Sequence, residues 1–165
     1  MIPQEIIDIL NAQIEKEGYS ANLYLSMAVW ADFNGFPGTA QWLYAQAEEE
    51  KMHMMKFINY LTQVGAKVTI PGFQKPNSEF NNLKTLFESV LKHEEFISES
   101  INNIVKLCYS ANDYRTLSWI QWFVQEQIEE ESSVRDILDK LNLTNDNYYW
   151  FDKELGERKT TQQEN

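Results

Sequence analysis

The sequence predicts an all-α protein: a four-helix bundle with one long crossover between helices 2 and 3 and a short fifth helix at the C-terminal end. Glycine and proline are scarce, at 6 and 4 of the 165 residues, and they cluster at the breaks between segments. Within the segments, apolar residues recur every three or four positions, which is the spacing of a buried helix face. One break is long enough to run the length of the bundle.

The breaks define the predicted elements. The short stretches NGFPG and SAND each separate two helical segments, so the helices that they join are expected to be antiparallel. VGAKVTIPGFQKPNS is typical of irregular chain, and about 14 extended residues span roughly 46 Å, so helices 2 and 3 can run parallel. A domain of residues 1–155 is expected, followed by a flexible tail of residues 156–165. The four long helices are predicted at 4–34, 39–65, 80–110 and 113–142.

Composition limits the possible functions. A net charge of −11 excludes a large phosphate-binding face, because nucleic-acid-binding proteins need stripes of lysine and arginine. No apolar run reaches the roughly 18 residues that a bilayer crossing needs, and the N-terminal stretch lacks the basic region of a signal peptide. Cys108 is the only cysteine, which excludes an internal disulfide and a cysteine-rich metal site. We therefore expect a cytoplasmic protein with no nucleic-acid or membrane partner.

Each apolar seam is interrupted near its middle by acidic or amide residues. A single such glutamate often reflects a misread helix register or a side chain that reaches out to solvent. Four carboxylates converging at one depth would repel one another and lose hydration, at a cost of several kcal/mol per uncompensated ion. Raised pKa values could keep them neutral, but divalent cations offset both costs, so the pattern predicts a metal site. The interrupting residues are Glu17, Glu50, Glu94, Gln127 and Glu130.

The type of ligand indicates which metal is bound. Glu50 and His53 form a Glu-x-x-His pair, which di-metal bundles place on one helix face. Several carboxylate oxygens and one imidazole suit Fe(II), Mn(II) or Zn(II) and disfavour Cu(I), which prefers sulfur.

These residues resemble those of the ferritins, most closely the bacterial non-haem ferritins. The resemblance covers residues 2–155. It rests on EKEGYSANLYLSM, AEEEKMHMMKFINYL, HEEFISESINNIV and LSWIQWFVQEQIEEE, with FDKEL in support.

The resemblance implies a set of site residues. Glu17, Glu50 and His53 would hold one iron, and Glu50 would bridge to a second iron held by Glu94 and Glu130. Gln127 would be a ligand or a hydrogen-bonding neighbour. Tyr24 would orient Glu94 or supply an electron, unless it is simply a core tyrosine. Glu49, Glu126 and Glu129, together with Glu130, match a third iron position, for which a solvated charge run is the alternative.

The same resemblance implies a function. The implied function is ferroxidase activity with iron storage: the protein would oxidise Fe(II) with O2 or H2O2 and store ferric mineral inside a hollow homo-oligomeric shell of 24 subunits. A haem-containing bacterioferritin is a second candidate. Lys51 after Glu50, where bacterioferritins have methionine, and the lack of a histidine in QIEE on helix 4 both argue against haem. A di-iron carboxylate oxidase or peroxidase is a third candidate, and a helical bundle without catalysis is a fourth.

Overall fold

The computed structural model describes the backbone of residues 1–162 and the side chains of residues 1–157. Within these residues the chain forms five helices and no strand, which confirms the all-α bundle with a short C-terminal helix. None of the described helices combines the length and the apolar character that a membrane crossing requires. The helices are α1 (Gln4–Phe33), α2 (Pro37–Gln63), α3 (Leu83–Ser110), α4 (Tyr114–Leu143) and α5 (Tyr148–Gln162).

The helices begin within three residues of their predicted starts, and local chemistry explains each position. Helix α2 begins earlier than predicted, at Pro37, because proline fits the first turn of a helix, where its missing N–H is not needed. Helix α3 begins later, after Asn82, whose side chain accepts a hydrogen bond from the Thr85 N–H at 2.8 Å. Helix α4 follows Asp113, which caps it by accepting a hydrogen bond from the Thr116 N–H at 3.2 Å.

The crossover, residues 64–82, follows α1 in the same direction. Near the start of α1, the Asn11 side chain accepts a hydrogen bond from the Thr69 N–H at 2.8 Å. Farther along α1, the Ser26 hydroxyl donates to the Asn77 carbonyl at 2.7 Å. The crossover thus carries the chain from one end of the bundle to the other. Helix α3 therefore runs parallel to α2, as the length of the crossover predicted.

The apolar interior forms two clusters, and a polar layer separates them. On α1, Glu17 lies between Ile14, which belongs to one cluster, and Ala21, which belongs to the other. The same order holds on every long helix, so the acidic residues meet at one depth of the bundle. The remaining members of this layer are Glu50 and His53 on α2, Glu94 on α3, and Gln127 and Glu130 on α4.

Helix α5 docks on the first turn of α2. The Asp152 carboxylate accepts hydrogen bonds from the Gly38 N–H at 2.9 Å and the Thr39 N–H at 2.7 Å, so it caps α2 from another helix. A Cβ at Gly38 would lie 1.9 Å from the Asp152 carbonyl oxygen, and one at Gly156 would lie 3.0 Å from Gly38 Cα. Glycine at both positions lets the two backbones approach closely.

Helix α5 extends to Gln162, beyond residue 156, where the tail is predicted to begin. Gly156 is a contact glycine in the middle of α5. The residues after it, ERKTTQ, contain no further glycine or proline that would stop a helix. Residues 163–165 lie outside the described part of the chain.

We predict that Asp152→Ala loosens the start of α2. Loss of a helix cap costs about 1 kcal/mol, so the Gly38 and Thr39 amides should exchange with solvent about fivefold faster. Hydrogen exchange followed by mass spectrometry measures this directly. Asp136→Ala removes the same charge from an exposed position of α4 and serves as the control. Equal exchange in the two variants would show that Asp152 does not hold α2.

Candidate metal centre

Five ionisable side chains of the polar layer are almost entirely buried. The positions of the four glutamates follow from the apolar seams, because each glutamate interrupts one, and His53 lies one turn after Glu50 on the same face of α2. Burial of so many carboxyl groups at one level is unusual, since ionisable side chains are rarely buried without partners. The exposed fractions are 1% for Glu17, 2% for Glu50, 3% for His53, 1% for Glu94 and 6% for Glu130.

These side chains form two groups that share Glu50. Each group of three offers one ligand atom per residue, all within 4.8 Å of one another. In the first group, His53 Nδ1 lies 3.3 Å from a Glu50 carboxylate oxygen and 3.9 Å from Glu17 Oε2. Two cations could therefore sit side by side with one carboxylate between them. The first group is Glu17, Glu50 and His53, and the second is Glu50, Glu94 and Glu130.

Neutral donors fix the orientation of three of the carboxylates. Each of these donors forms a hydrogen bond with one oxygen of a carboxylate. Because the donor is uncharged, the negative charge of the carboxylate is not cancelled. The Tyr24 hydroxyl also donates to Glu94 Oε1, as the interpretation of Tyr24 as an orienting residue requires. The amide contacts are Gln13 Nε2 to Glu17 Oε1 at 2.8 Å, Gln46 Nε2 to Glu130 Oε2 at 2.8 Å, and Gln127 Nε2 to Glu94 Oε2 at 3.1 Å.

The Gln127 amide nitrogen donates to Glu94, and it also contacts the Glu94 carbonyl at 3.2 Å and the Ser98 hydroxyl at 3.2 Å. Gln127 is therefore a hydrogen-bonding neighbour of Glu94. A glutamine binds a metal through its amide oxygen, so the ligand role of Gln127 stays a prediction.

Burial raises the pKa values of the carboxyl groups. It raises the pKa of Glu17 to about 7 from its ordinary value of 4.5, although the hydrogen bond from Gln13 opposes the shift. The pKa values of Glu50 and Glu130 lie well above the ordinary value because of burial and repulsion from Glu94. Burial also raises the pKa of Glu94, against hydrogen bonds from Tyr24 and Gln127. Around neutral pH the layer therefore holds protons that an arriving cation can displace.

His53 is suited to binding a metal because it is neutral. Burial lowers its pKa to about 4, with a smaller contribution from the charge of Lys56. Its ring packs against the edges of Trp122 and Phe123, at centroid distances of 5.5 and 5.7 Å. Nδ1 of His53 faces the Glu50 carboxylate, and Nε2 of His53 lies 3.8 Å from Glu126 Oε1.

The residues of the predicted third iron position are only partly brought together. Glu126 forms a group with His53 and Glu130, in which the ligand atoms lie within 4.8 Å of one another. Among the described residues, no such group of three includes Glu49 or Glu129. Both lie close enough to repel Glu126 and so help to raise its pKa, after the larger effect of burial. Glu129 is exposed, so its side chain can turn toward a cation.

The sequence interpretation missed Gln13 and Gln46. A signal was available, because Gln13 precedes Glu17 by four residues and Gln46 precedes Glu50 by four, which places each pair on one helix face. The spacing alone does not identify the acceptor. Gln46 reaches across to Glu130 on α4 and not to the neighbouring seam glutamate on its own helix.

Comparison with known proteins identifies the class to which this bundle belongs. Residues 7–144 match the family described as the ferritin-like domain. The chain is 38% identical over 163 residues to a probable bacterial non-heme ferritin-like protein of Haemophilus influenzae, covering 97% of this chain and 99% of the relative. It is 41% identical over 143 residues to the bacterial non-heme ferritin of Campylobacter jejuni, covering 87% and 86%.

Solved structures agree with the sequence matches. An open pore ferritin from the archaeon Archaeoglobus fulgidus superposes with a TM-score of 0.92 at 37% identity, covering 94% of this chain and 96% of that one. The chain therefore belongs to the ferritin family. Its matches at 30–41% identity include several curated bacterial non-heme ferritins, and membership of this family supports iron storage.

We predict that Glu50→Gln stabilises the metal-free protein at pH 8. A carboxyl whose pKa is raised in the folded state favours folding most below its ordinary pKa of 4.5. That contribution is lost as the pH rises through the folded pKa of Glu50, which burial and the repulsion from Glu94 hold well above 4.5. The neutral amide removes this loss, so the gain should be about 1–3 kcal/mol at pH 8 and much smaller at pH 5.

Unfolding of the chelated protein at the two pH values measures the effect. Glu48→Gln is the matched control, since Glu48 belongs to the same run of three glutamates but is 68% exposed and pairs with Lys51. A gain of equal size at pH 5 and pH 8, or a loss at pH 8, would contradict the prediction.

Proposed function

We propose that this protein is an iron-storage ferritin with ferroxidase activity. It oxidises Fe(II) to Fe(III) at a di-iron site within one subunit and stores the ferric product as mineral. The observation that carries the proposal is the position of Glu50, which belongs to both buried ligand groups. A shared carboxylate is the means by which one site can hold two iron ions close enough to act on one oxidant molecule.

The proposed binding step exchanges protons for iron. Glu17, Glu50 and His53 receive one Fe(II), and Glu50, Glu94 and Glu130 receive the other. Since the pKa values of these carboxyls are raised, Fe(II) displaces protons as it binds, and its affinity should increase with pH.

The proposed oxidation step uses the two irons as one-electron donors. Two Fe(II) ions lose one electron each, and one O2 molecule takes both electrons with two protons to give H2O2. With H2O2 as oxidant, the same two electrons and two protons give two water molecules. The anionic carboxylates favour the Fe(III) product, because hard oxygen ligands stabilise the higher charge.

The surrounding residues have supporting roles in this proposal. Tyr24 donates to Glu94 Oε1 and Gln127 donates to Glu94 Oε2, so the two donors fix the plane of this carboxylate, and each oxygen keeps a lone pair for the second iron. A third iron binds beside the centre through Glu126, Glu129 and Glu49, together with Glu130. Contact between Glu126 and His53 Nε2 makes this outer position continuous with the first iron.

Storage requires an enclosed space, which we propose is a homo-oligomeric shell of 24 subunits in the cytoplasm, without haem. The single chain leaves several large apolar side chains exposed, as expected for a subunit surface. The resemblance to bacterial non-haem ferritins supplies the number of subunits. The apolar side chains include Phe33, Tyr109, Tyr114, Leu143, Tyr149 and Trp150.

We predict that Glu50→Ala abolishes the fast phase of Fe(II) oxidation, because both iron positions lose their common ligand. Stopped-flow absorbance after aerobic mixing with two Fe(II) per subunit follows this phase. Helical content by circular dichroism should be unchanged. Glu48→Ala removes an exposed glutamate two residues away and should oxidise iron at the wild-type rate.

Several results would contradict the proposal. If Glu50→Ala kept the fast phase, Glu50 would not be the bridge. If wild-type protein given excess Fe(II) only let ferric precipitate form, the protein would be a helical bundle without catalysis. If it stopped after about two irons per subunit, a di-iron oxidase would be favoured over storage.

We predict a milder effect for Glu129→Ala. Glu129 is exposed and lies outside both buried groups, so the first turnover should proceed at a rate close to that of the wild type. Later turnovers, or the number of irons bound per subunit, should change. Sequential additions of Fe(II) with oxygen consumption recorded after each addition separate the two phases. An inactive first turnover would place Glu129 inside the di-iron site.

A further inference from the structure

A chain of hydrogen bonds connects a lysine near the surface to one of the buried carboxylates. The Lys16 ammonium donates to the Ser100 hydroxyl at 2.6 Å, and that hydroxyl donates to Gln13 Oε1 at 2.6 Å. Gln13 Nε2 then donates to Glu17 Oε1 at 2.8 Å. The chain starts on α1, crosses to α3 at Ser100 and returns to α1.

Each contact in this chain fixes the direction of the next. An ammonium group can only donate, so Ser100 must accept from Lys16 and has its single hydrogen left for Gln13. That hydrogen selects the oxygen of the Gln13 amide, which turns the nitrogen toward Glu17. Gln13 is fully buried and Ser100 is 5% exposed, so water does not offer another partner. A flipped amide would set its oxygen against the Glu17 carboxylate, and both contacts would be lost.

The consequence at Glu17 is that its two oxygens are no longer equivalent. Oε1 is occupied by the Gln13 amide. Oε2 is buried and accepts no hydrogen bond from an amide or hydroxyl group among the described residues; it lies 3.9 Å from His53 Nδ1, and its neighbour is the Glu50 carboxyl. A buried carboxylate oxygen without a donor is costly unless a cation takes that place.

We propose that Lys16, Ser100 and Gln13 are positioning residues that make Glu17 a single-oxygen metal ligand through Oε2. This inference rests on the proposed di-iron function, and it adds three residues that act through Glu17 without touching iron. The far end of the chain is held as well, because the Lys16 ammonium lies 5.6 Å from the centre of the Phe96 ring. The charged anchor keeps the Ser100 hydroxyl turned toward Gln13, whether or not metal is present.

Ser100→Ala tests the inference by breaking the chain at its middle. The probe is Co(II), added anaerobically to the chelated full-length protein, since its visible absorption reports the number and type of ligands. We expect the first Co(II) to bind at least tenfold more weakly, within the range of about 10–100-fold typical when a ligand loses its supporting partner. The absorption spectrum should change as well, because Glu17 is free to rotate or to bind through both oxygens.

Three further variants separate positioning from a general loss of stability. Ser100→Thr keeps the hydroxyl and should retain the wild-type Co(II) spectrum and affinity. Lys16→Met removes the anchor and should shift the spectrum in the same direction as Ser100→Ala. Because the residues act in series, combining the two substitutions should add little to Ser100→Ala alone. Ser89→Ala, which removes a hydroxyl bonded to the Thr85 carbonyl of the same helix, should leave spectrum and affinity unchanged.

The outcomes also separate this inference from the proposed function. If Glu17→Ala weakens Co(II) binding but Ser100→Ala matches Ser89→Ala in spectrum and affinity, the positioning chain is overturned and the di-iron site stands. If Glu17→Ala binds Co(II) as the wild type does, Glu17 is not a ligand and both proposals fail. Additive losses in the double variant would show that Lys16 and Ser100 act separately, and would also overturn the chain.

Discussion

Four carboxyl groups share the dry middle of this bundle, and their mutual repulsion is the constraint around which the neighbouring residues are arranged. Apolar clusters above and below prevent water from hydrating them, so each carboxylate would cost several kcal/mol if it stood alone and ionised. Raised pKa values reduce that cost by retaining protons at neutral pH. Divalent cations reduce it further. A layer that opposes folding of the metal-free chain is therefore well suited to attracting iron.

The partners of these carboxylates are neutral, and this choice has a physical reason. A lysine or arginine in the same place would form an ion pair and compete with the metal for the carboxylate. A side-chain amide holds one oxygen by a hydrogen bond and leaves the negative charge available. Three of the four glutamates receive such a bond, and the one positive charge in the network, Lys16, is separated from Glu17 by two intervening residues. The amide donors are Gln13, Gln46 and Gln127.

The sequence predicted the features that depend on periodicity. Glu17, Glu50 and Glu94 interrupt regular apolar seams, so their burial and common depth follow from helix geometry alone. The length of the crossover likewise allowed α3 to run parallel to α2. Contacts between helices were not predictable, because spacing along one helix does not say which partner a long side chain reaches. The hydrogen bond from Gln46 on α2 to Glu130 on α4 is an example of such a contact.

Gly156 is an example of a backbone contact between helices that could not be predicted from the sequence. A glycine ends many helices, and from sequence alone the residues after it resembled a tail. Its actual role depends on Gly38, which is more than a hundred residues away in the chain and packs against it.

The docking of α5 onto α2 links two distant parts of the subunit. Helix α2 is continuous over 27 residues and carries Glu50 and His53 near its middle. Asp152 on α5 caps its first turn by accepting a hydrogen bond from the Thr39 N–H. About three turns of helix separate the first turn of α2 from Glu50. A displacement of α5 would therefore move the first turn of α2 and, along the same helix, Glu50 and His53.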